Sequence, residues 1–294
     1  MSKSPSSIAL GFFDGVHIAH QKIISLAVDY ARENNLSPIA LSFDASPMEL
    51  LSLDKVKYLT TNAEKKQLIA SLGADTSFLT LSKELLSMDA EAFVKDILVK
   101  TYNIKYAVCG YNYRFGKNGK GDTEFLKSMG EKYGFDVCIC ECETLHGENI
   151  SSSRIRELIS KGDISVANEL LGRNFSLRGK VCKGKKLGRT LGFPTANVFF
   201  DKSTVIPKNG VYKTTVNIGT NKYTAITNTG INPTVGGEEL RTETYIPEFD
   251  GNIYGQELLI EFIDFIRSEK KFENIDELKL QIEKDVESIY NRRQ

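Results

Sequence analysis

The sequence carries no net charge: 38 basic and 38 acidic side chains cancel over 294 residues. That removes the global attraction drawing proteins to nucleic acid or anionic membrane, so any affinity for phosphate must come from local clusters. Cysteine is sparse and odd in number, five in all, which argues against a secreted disulfide framework and suits a reducing, cytoplasmic compartment. Nowhere does the chain approach the roughly 18 uninterrupted apolar residues of a membrane helix. The opening MSKSPSSIALGFFDG flanks a short apolar run with polar residues, unlike a secretory leader. Histidine is scarce too: there are three, and two of them, His17 and His20, fall in one short loop. What remains is a chain of ordinary composition, 41% hydrophobic, long enough for a substantial core and two domains.

Cys138, Cys140 and Cys142 alternate in DVCICEC, a strand pattern that puts them on one face. Steps of about 6.6 to 6.8 Å along that face hold the outer pair too far apart to share a tetrahedral zinc, which favours a buried strand face over a metal. The first half of the chain alternates short apolar runs with helical patterns. SSIALGFF, SPIALSF, TSFLTL and KYAVCGY read as strands, separated by the amphipathic stretches HQKIISLAVDYARENN, TNAEKKQLIASLG (capped at Asn62) and AEAFVKDILVKTY. This is the grammar of a doubly wound α/β domain with a parallel sheet. DTEFLKSMGEKYG, then SSSRIRELISKG, continue it with further helices.

Beyond about Gly172 the pattern changes to β-rich segments separated by Gly, Asn and Pro, such as KNGVYKTTVNIG, KYTAITNTG and QELLIEFIDFIR. A small antiparallel barrel is expected there, closed by the helical stretch NIDELKLQIEKDVESIYNRR. The expected domains are residues 1–172 and 173–294.

The loop Gly11-Phe12-Phe13-Asp14-Gly15-Val16-His17-Ile18-Ala19-His20 lies where the first strand passes into the first helix. In an open α/β sheet that carboxyl-end crevice binds ligands, and the helix N-terminus beyond it offers free amides to phosphate. Two imidazoles there can donate to charge growing on a phosphate and on departing pyrophosphate. A tight glycine turn with two solvated histidines fits equally well. Ser151-Ser152-Ser153-Arg154-Ile155-Arg156 adds hydroxyls, a helix start and guanidinium forks, a set suited to polyphosphate, though an ordinary N-cap would look the same. Together the two segments resemble the nucleotidyltransferase superfamily, which carries a His-x-Gly-His signature near its start and a Ser-Ser-Thr-x-Ile-Arg-like segment near its end. Ala19 stands where that signature has glycine. Between them, GYNYRFGKNGKGD follows a predicted strand, so Asn112 and the surrounding aromatics project at the same sheet edge and could hold a planar ring.

In the second half, Arg178 to Arg189 contains six basic residues and no acid. Gly179 to Lys186 spells Gly-x-x-x-x-Gly-Lys but lacks the Ser or Thr and the following helix of a P-loop. In Gly192-Phe193-Pro194-Thr195-Ala196-Asn197, Thr195 and Asn197 alternate on an extended segment and can offer neutral oxygens to magnesium and phosphate. Glu243 in LRTETYI sits on a strand-like stretch, where it is either an exposed strand acid or the base for an alcohol attacking the γ-phosphoryl group of ATP.

GFFDGVHIAH, GYNYRFGKNGKGD, ISSSRIR, GRTLGFPTAN, NGVY, NTGINPTVGG, ETYIPEFDGNIYG and IRSEKKF, in this order, resemble the prokaryotic bifunctional riboflavin kinase and FAD synthetase family over essentially the whole chain. The resemblance implies an N-terminal Rossmann-like FMN adenylyltransferase domain and a C-terminal riboflavin kinase domain on a six-stranded barrel. It implies ATP, riboflavin and FMN as substrates, with Mg2+ as the metal. His17, His20 and Glu243 would be catalytic. Gly11, Asp14, Ser152, Ser153, Arg156, Gly184, Gly188, Thr195 and Asn197 would bind nucleotide phosphate, Thr195 and Asn197 would hold the metal, and Phe43, Asn112 and Phe115 would hold flavin. Ser153 replaces the usual threonine, and Ser46 in FDASP stands where relatives often have histidine. A kinase with weakened adenylyl transfer, through Ala19, is the alternative. A flavin-responsive nucleic-acid-binding protein is a second, against which the zero net charge counts.

Overall fold

The structure is a computed structural model that describes residues 4–46, 49, 56–184, 192–201, 203–234 and 237–291, and the chain falls into two compact units, Met1–Ser152 and Ser153–Gln294. In the first, β1 (Ser6–Leu10), β2 (Ser37–Phe43), β3 (Asp75–Leu79), β4 (Ile104–Gly110) and β5 (Asp136–Cys140) form a parallel sheet in the order β3-β2-β1-β4-β5. Helices α1 (Ile18–Glu33), α2 (Asn62–Ser71), α3 (Lys83–Ser87), α4 (Ala90–Ala92, running on as the π-helical stretch Phe93–Thr101) and α5 (Thr123–Tyr133) lie between the strands. β1 is buried along its whole length because it is covered on both faces. Ile8 and Leu10 face Phe93, Val94, Leu98 and Leu126, while Ala9 faces Ile24, Ala27, Val28 and Ile69. The strand order reverses between β1 and β4, and this topological switch point sets the site, since the loops leaving the two strands diverge there and leave a crevice.

The helix cap of α2 differs from expectation by one residue. Thr61 is the cap: its Oγ1 accepts from Glu64 N–H (3.3 Å), and the Glu64 carboxylate accepts from Thr61 N–H (2.8 Å), a reciprocal capping box. Asn62 is the first helical residue and donates instead to the Asp44 carbonyl. Cys138 and Cys140 do share one face of β5, packed with Ala9 and Val108, whereas Val137 and Ile139 face the other layer. Burial pushes the Cys140 thiol up to about 11, so it stays protonated. The sequence pattern missed α3 and the hairpin β6 (Thr144–Leu145) to β7 (Glu148–Asn149), both too short to show a period.

The second unit takes in α6 (Ser152–Lys161, whose first residue ends the first unit) and α7 (Ile164–Leu171) before the barrel begins. α7 was not expected from the pattern. It ends on Gly172 in left-handed backbone (φ 68°), and Asn168 ties it to the barrel by accepting from Phe175 N–H and donating to the Phe262 carbonyl (2.9 Å). Strands β8 (Phe175–Cys182), β9 (Thr195–Phe200), β10 (Gly210–Ile218), β11 (Asn221–Thr234), β12 (Gly237–Tyr245) and β13 (Glu257–Arg267) close an all-antiparallel barrel in the order β10-β11-β12-β9-β8-β13. Alternation puts Tyr212, Thr214, Thr227, Val198 and Thr244 inside, where Thr214, Thr227 and Thr244 satisfy one another through a chain of hydroxyl contacts of 2.8 and 3.0 Å. α8 (Ile275–Asn291) lays Val286, Ile289 and Tyr290 over Val211, Ile226 and Ile266 on the outer surface.

Candidate active sites

The first site grows from the turn after β1. Between Leu10 and α1 the chain reverses through three left-handed residues, Phe13 (φ 55°), Gly15 (φ 79°) and Val16 (φ 40°), a strained state for a β-branched side chain. Gly11 is required by close approach, because a Cβ there would lie 2.7 Å from the Phe13 ring. Asp14, 1% exposed, holds the turn: its carboxylate accepts from the amides of Leu59 (3.0 Å) and Thr60 (3.3 Å), and Gly15 N–H donates to Thr60 Oγ1. Asp14 thus holds the phosphate-side turn in shape through the protein's own backbone.

That turn delivers both histidines to the start of α1. His17 is the N-cap, and its Nδ1 accepts from His20 N–H, which leaves the proton of the neutral ring on Nε2. The two imidazoles stack at 3.5 Å between centroids and 17° between planes, and His20 meets the Phe13 ring edge-on. Burial, then the neighbouring His17 and the charge of Lys65, hold the His20 ring well below the usual histidine range, so it stays neutral. Its Nδ1 is buried with no partner among the described residues. Ala19 lies in the first turn of α1 and is not among the residues with positive φ, so its methyl meets no backbone penalty.

Ser152 Oγ donates to the Asp14 carbonyl (2.9 Å), joining residues 138 positions apart. Its proton is thereby committed, and what it can offer a ligand is its backbone and lone pairs. Ser153 and Arg156 belong to the second unit, where Arg156 Nη2 donates to Ser153 Oγ (3.1 Å). Phe43 ends β2 half-buried, and Asn112 follows β4 exposed, so both reach the carboxyl edge. Phe115 does not. It is 5% exposed, bridged to Gly121 and packed against Phe93, Tyr113 and Phe125, so it supports the loop from below. Tyr111, 49% exposed, is the aromatic that this loop presents.

Sequence reasoning passed over Lys65. It is 1% exposed on α2, its ammonium 4.1 Å from the centroid of Phe12 and 5.6 Å from that of Phe78. Burial pulls it down to about 8 against the opposing pull of Asp14 and Asp44. The available signal was positional: Lys65, Leu68, Ile69 and Leu72 share one helical stripe.

The second site lies on the outer surface of the barrel and follows one line of register. Asn197 pairs with Glu243, Glu243 with Asn228, Asn228 with Val211, and Val211 with Arg267, a transverse row across β9, β12, β11, β10 and β13. Thr195, two residues before Asn197, shares its face. The expected alternation therefore holds, and pairing supplies what the chain alone left open, a carboxylate directly opposite the carboxamide. Gly184 lies against Asn197 so closely that an added methyl would meet its Cγ at 2.5 Å. Gly188 lies outside the described residues. Gly179 is a residue of β8 rather than of a loop, since its added Cβ would meet Val198 at 2.6 Å, which agrees with rejecting a P-loop.

Two cavities flank Thr195. One, of about 560 Å³, is lined by Thr195, Val211, Ile226, Asn228, Glu243 and Tyr245 from the barrel, and by Phe272, Leu278 and Ile282 from the closing segment. Its surface is mainly apolar. The other, of about 540 Å³, is lined by Pro194, Thr195, Ala196, Thr244, Phe249, Asp250, Asn252 and Tyr254 and is more polar. Arg267, also missed in the sequence, grips Asp285 of α8 with Nη2–Oδ2 at 2.7 Å and Nε–Oδ1 at 3.0 Å, and Gln281 adds a third donor. This pair fixes the helical wall of the larger cavity.

A doubly wound unit with histidines at its switch point, followed by a barrel with Thr195 shared by two cavities and the Asn197–Glu243 pair beside it, defines a two-part nucleotide-dependent transferase. Comparison with known proteins identifies the parts. The FAD synthetase family pattern matches residues 1–154 and the riboflavin kinase pattern residues 171–292. The bifunctional riboflavin kinase/FMN adenylyltransferase of Listeria monocytogenes is 36% identical over 95% of this chain and 89% of its own length. The enzyme of the same name from Escherichia coli K12 is 33% identical, over 97% and 93%. A crystal structure from Streptococcus pneumoniae, described as a macrolide-efflux protein, superposes with a TM-score of 0.90 at 33% identity, covering 99% of this chain and 95% of that one. No helix among the described residues is long and apolar enough to cross a membrane. The chain belongs to the bifunctional riboflavin kinase/FMN adenylyltransferase family and carries both of its enzymatic domains. Nothing in these matches favours loss of the adenylyltransferase half.

Proposed function

We propose that the chain makes FAD from riboflavin in two ATP-dependent steps, with residues 173–294 carrying phosphoryl transfer and residues 1–172 adenylyl transfer. The observation that carries the kinase assignment is the Asn197–Glu243 pair beside Thr195, at the junction of an apolar and a polar cavity. The apolar cavity suits the flavin ring and the polar one the nucleotide. The riboflavin 5′-hydroxyl then meets the γ-phosphorus beside Glu243, which takes the hydroxyl proton as the new P–O bond forms and ADP leaves. The hard oxygens of Thr195 and Asn197, side by side on one face, fit Mg2+ shared with phosphate oxygens, and the ion would supply charge neutralisation on the polyphosphate. Gly184, pressed against Asn197, fixes the carboxamide for that task.

In the second step an FMN phosphate oxygen attacks the α-phosphorus of another ATP and pyrophosphate departs. His17, oriented as the cap of α1, and His20, kept neutral by burial, donate to the charge developing at the transferred phosphorus. Gly11 and the amides at the helix start admit the phosphates closely, Ser152 takes part of the pyrophosphate, and Phe43 and Asn112 contact the flavin. Cytoplasmic placement is the reading that five free cysteines, odd in number, support.

The test is product analysis of the full chain. With riboflavin, ATP and Mg2+ it should yield FMN and then FAD; with FMN and ATP it should yield FAD and pyrophosphate. Glu243→Gln should lower riboflavin phosphorylation by about 10²- to 10⁴-fold, the usual worth of a general base, and leave FAD formation from FMN within twofold. Failure of the purified chain to consume ATP with either flavin would overturn the assignment.

A further inference from the structure

The adenylyl-transfer reading leaves one charged group of the first unit without a task. Lys65 occupies the inward stripe of α2, a place where packing alone selects leucine or methionine. Among the described residues its ammonium has no hydrogen bond and no ion pair. The surrounding charges come from three elements: Asp14 in the turn after β1, Asp44 after β2, and His20 on α1. Asp14 already accepts from two backbone amides, and Asp44 accepts from Leu81 N–H (2.9 Å), so both carboxylates are anchored elsewhere. Contact with the Phe12 ring offsets only part of the cost of burying the cation.

A second buried group in the same place is also unpartnered. His20 Nδ1, at the other end of the Phe12–His20 loop, has neither donor nor acceptor. Native proteins rarely leave such groups unsatisfied unless a ligand completes them. The nearest chemistry able to satisfy an ammonium at the carboxyl edge of this sheet is a phosphate oxygen.

Building on the adenylyl-transfer reading, we propose that Lys65 is a further phosphate-binding residue of that site, its ammonium pairing with an anionic oxygen of the phosphates that meet beside the Gly11–His20 loop. The flavin phosphate and the ATP α-phosphate share this chemistry, and the kinetic constants distinguish them: a raised KM for FMN marks the former, a raised KM for ATP the latter.

The experiment compares the full chain with Lys65→Met and Lys65→Arg, measuring FAD formation from FMN and, as a control on folding, FMN formation from riboflavin. Lys65→Met is expected to lower kcat/KM for FAD formation by about 10- to 100-fold, the worth of one charge-assisted bond, with riboflavin phosphorylation within twofold. In the unaltered chain FAD formation should fall as pH rises through about 8, where the ammonium loses its proton. Lys65→Arg keeps its charge, so its alkaline limb should move up by about one pH unit or more. A merely structural lysine would not move that limb. An alkaline limb that stays in place in Lys65→Arg, or a Lys65→Met chain within threefold of the original, overturns the proposal. If the unaltered chain forms no FAD from FMN, the adenylyl-transfer reading fails first and the proposal with it.

Discussion

His17 and His20 stack face to face at 3.5 Å while the backbone amide of one donates to the ring of the other. Two imidazolium ions cannot share that geometry, and burial makes His20 the ring that stays uncharged, a hydrogen-bond donor rather than a fixed cation. Further positive charge for phosphate must then come from elsewhere in the site, which is why a buried lysine beside the same loop matters.

The His20 environment sets a pH dependence. Its folded pKa is depressed, so below about 6.5 the unfolded chain binds a proton that the folded chain refuses. Stability of the first unit should therefore fall on acidification, with a slope approaching about 1.4 kcal/mol per pH unit until the folded ring titrates. Denaturant melts from pH 7 to 5 on the chain and on His20→Gln check this; the variant should show the shallower slope.

Gly184→Ala introduces a methyl into the Asn197 carboxamide. We expect riboflavin phosphorylation to fall by about tenfold or more, the cost of misplacing a positioning group, while FAD formation from FMN is unchanged. Steady-state kinetics of the two half-reactions decide it, and an unimpaired kinase would show that Asn197 is not held by this contact.

Ala19→Gly restores the residue of the nucleotidyltransferase signature, yet Ala19 lies on α1 with ordinary helical φ. FAD formation should stay within twofold of the original chain, and the unit should lose about 0.5–1 kcal/mol, the usual helical cost of glycine. A severalfold gain in rate would mean that the methyl does obstruct the nucleotide.

Asp285→Asn removes the charge from a side chain that is 4% exposed and gripped by Arg267. Removing the charge while Asn keeps one acceptor, with Arg267 still donating to the Ser268 carbonyl, should cost about 1–3 kcal/mol and loosen α8 over the larger cavity. The expected signature is a raised KM for riboflavin with a smaller change in KM for ATP, measured alongside thermal unfolding.

Much of the first unit is legible from the chain alone. The apolar strands and amphipathic helices alternate cleanly because each element is long enough to show its period, and the two histidines fall where any such sheet binds ligands. What the pattern left out has physical causes. That the Asp14 side chain turns to backbone amides and the Phe115 ring to a packed core depends on distant partners. Lys65, on an otherwise apolar stripe, was open to detection; the Arg267–Asp285 pair, 18 positions apart, offered no local pattern.

Composition and periodicity by themselves determined a parallel α/β unit, an antiparallel barrel, a closing helix and the order of the motifs, because side-chain alternation and helical stripes are written locally. Only tertiary structure decided that Glu243 stands opposite Asn197, that Ser152 returns to the Asp14 carbonyl, and that a lysine is buried without a partner. Strand register and burial depend on which distant segments share the same space, and no single stretch of sequence carries that information.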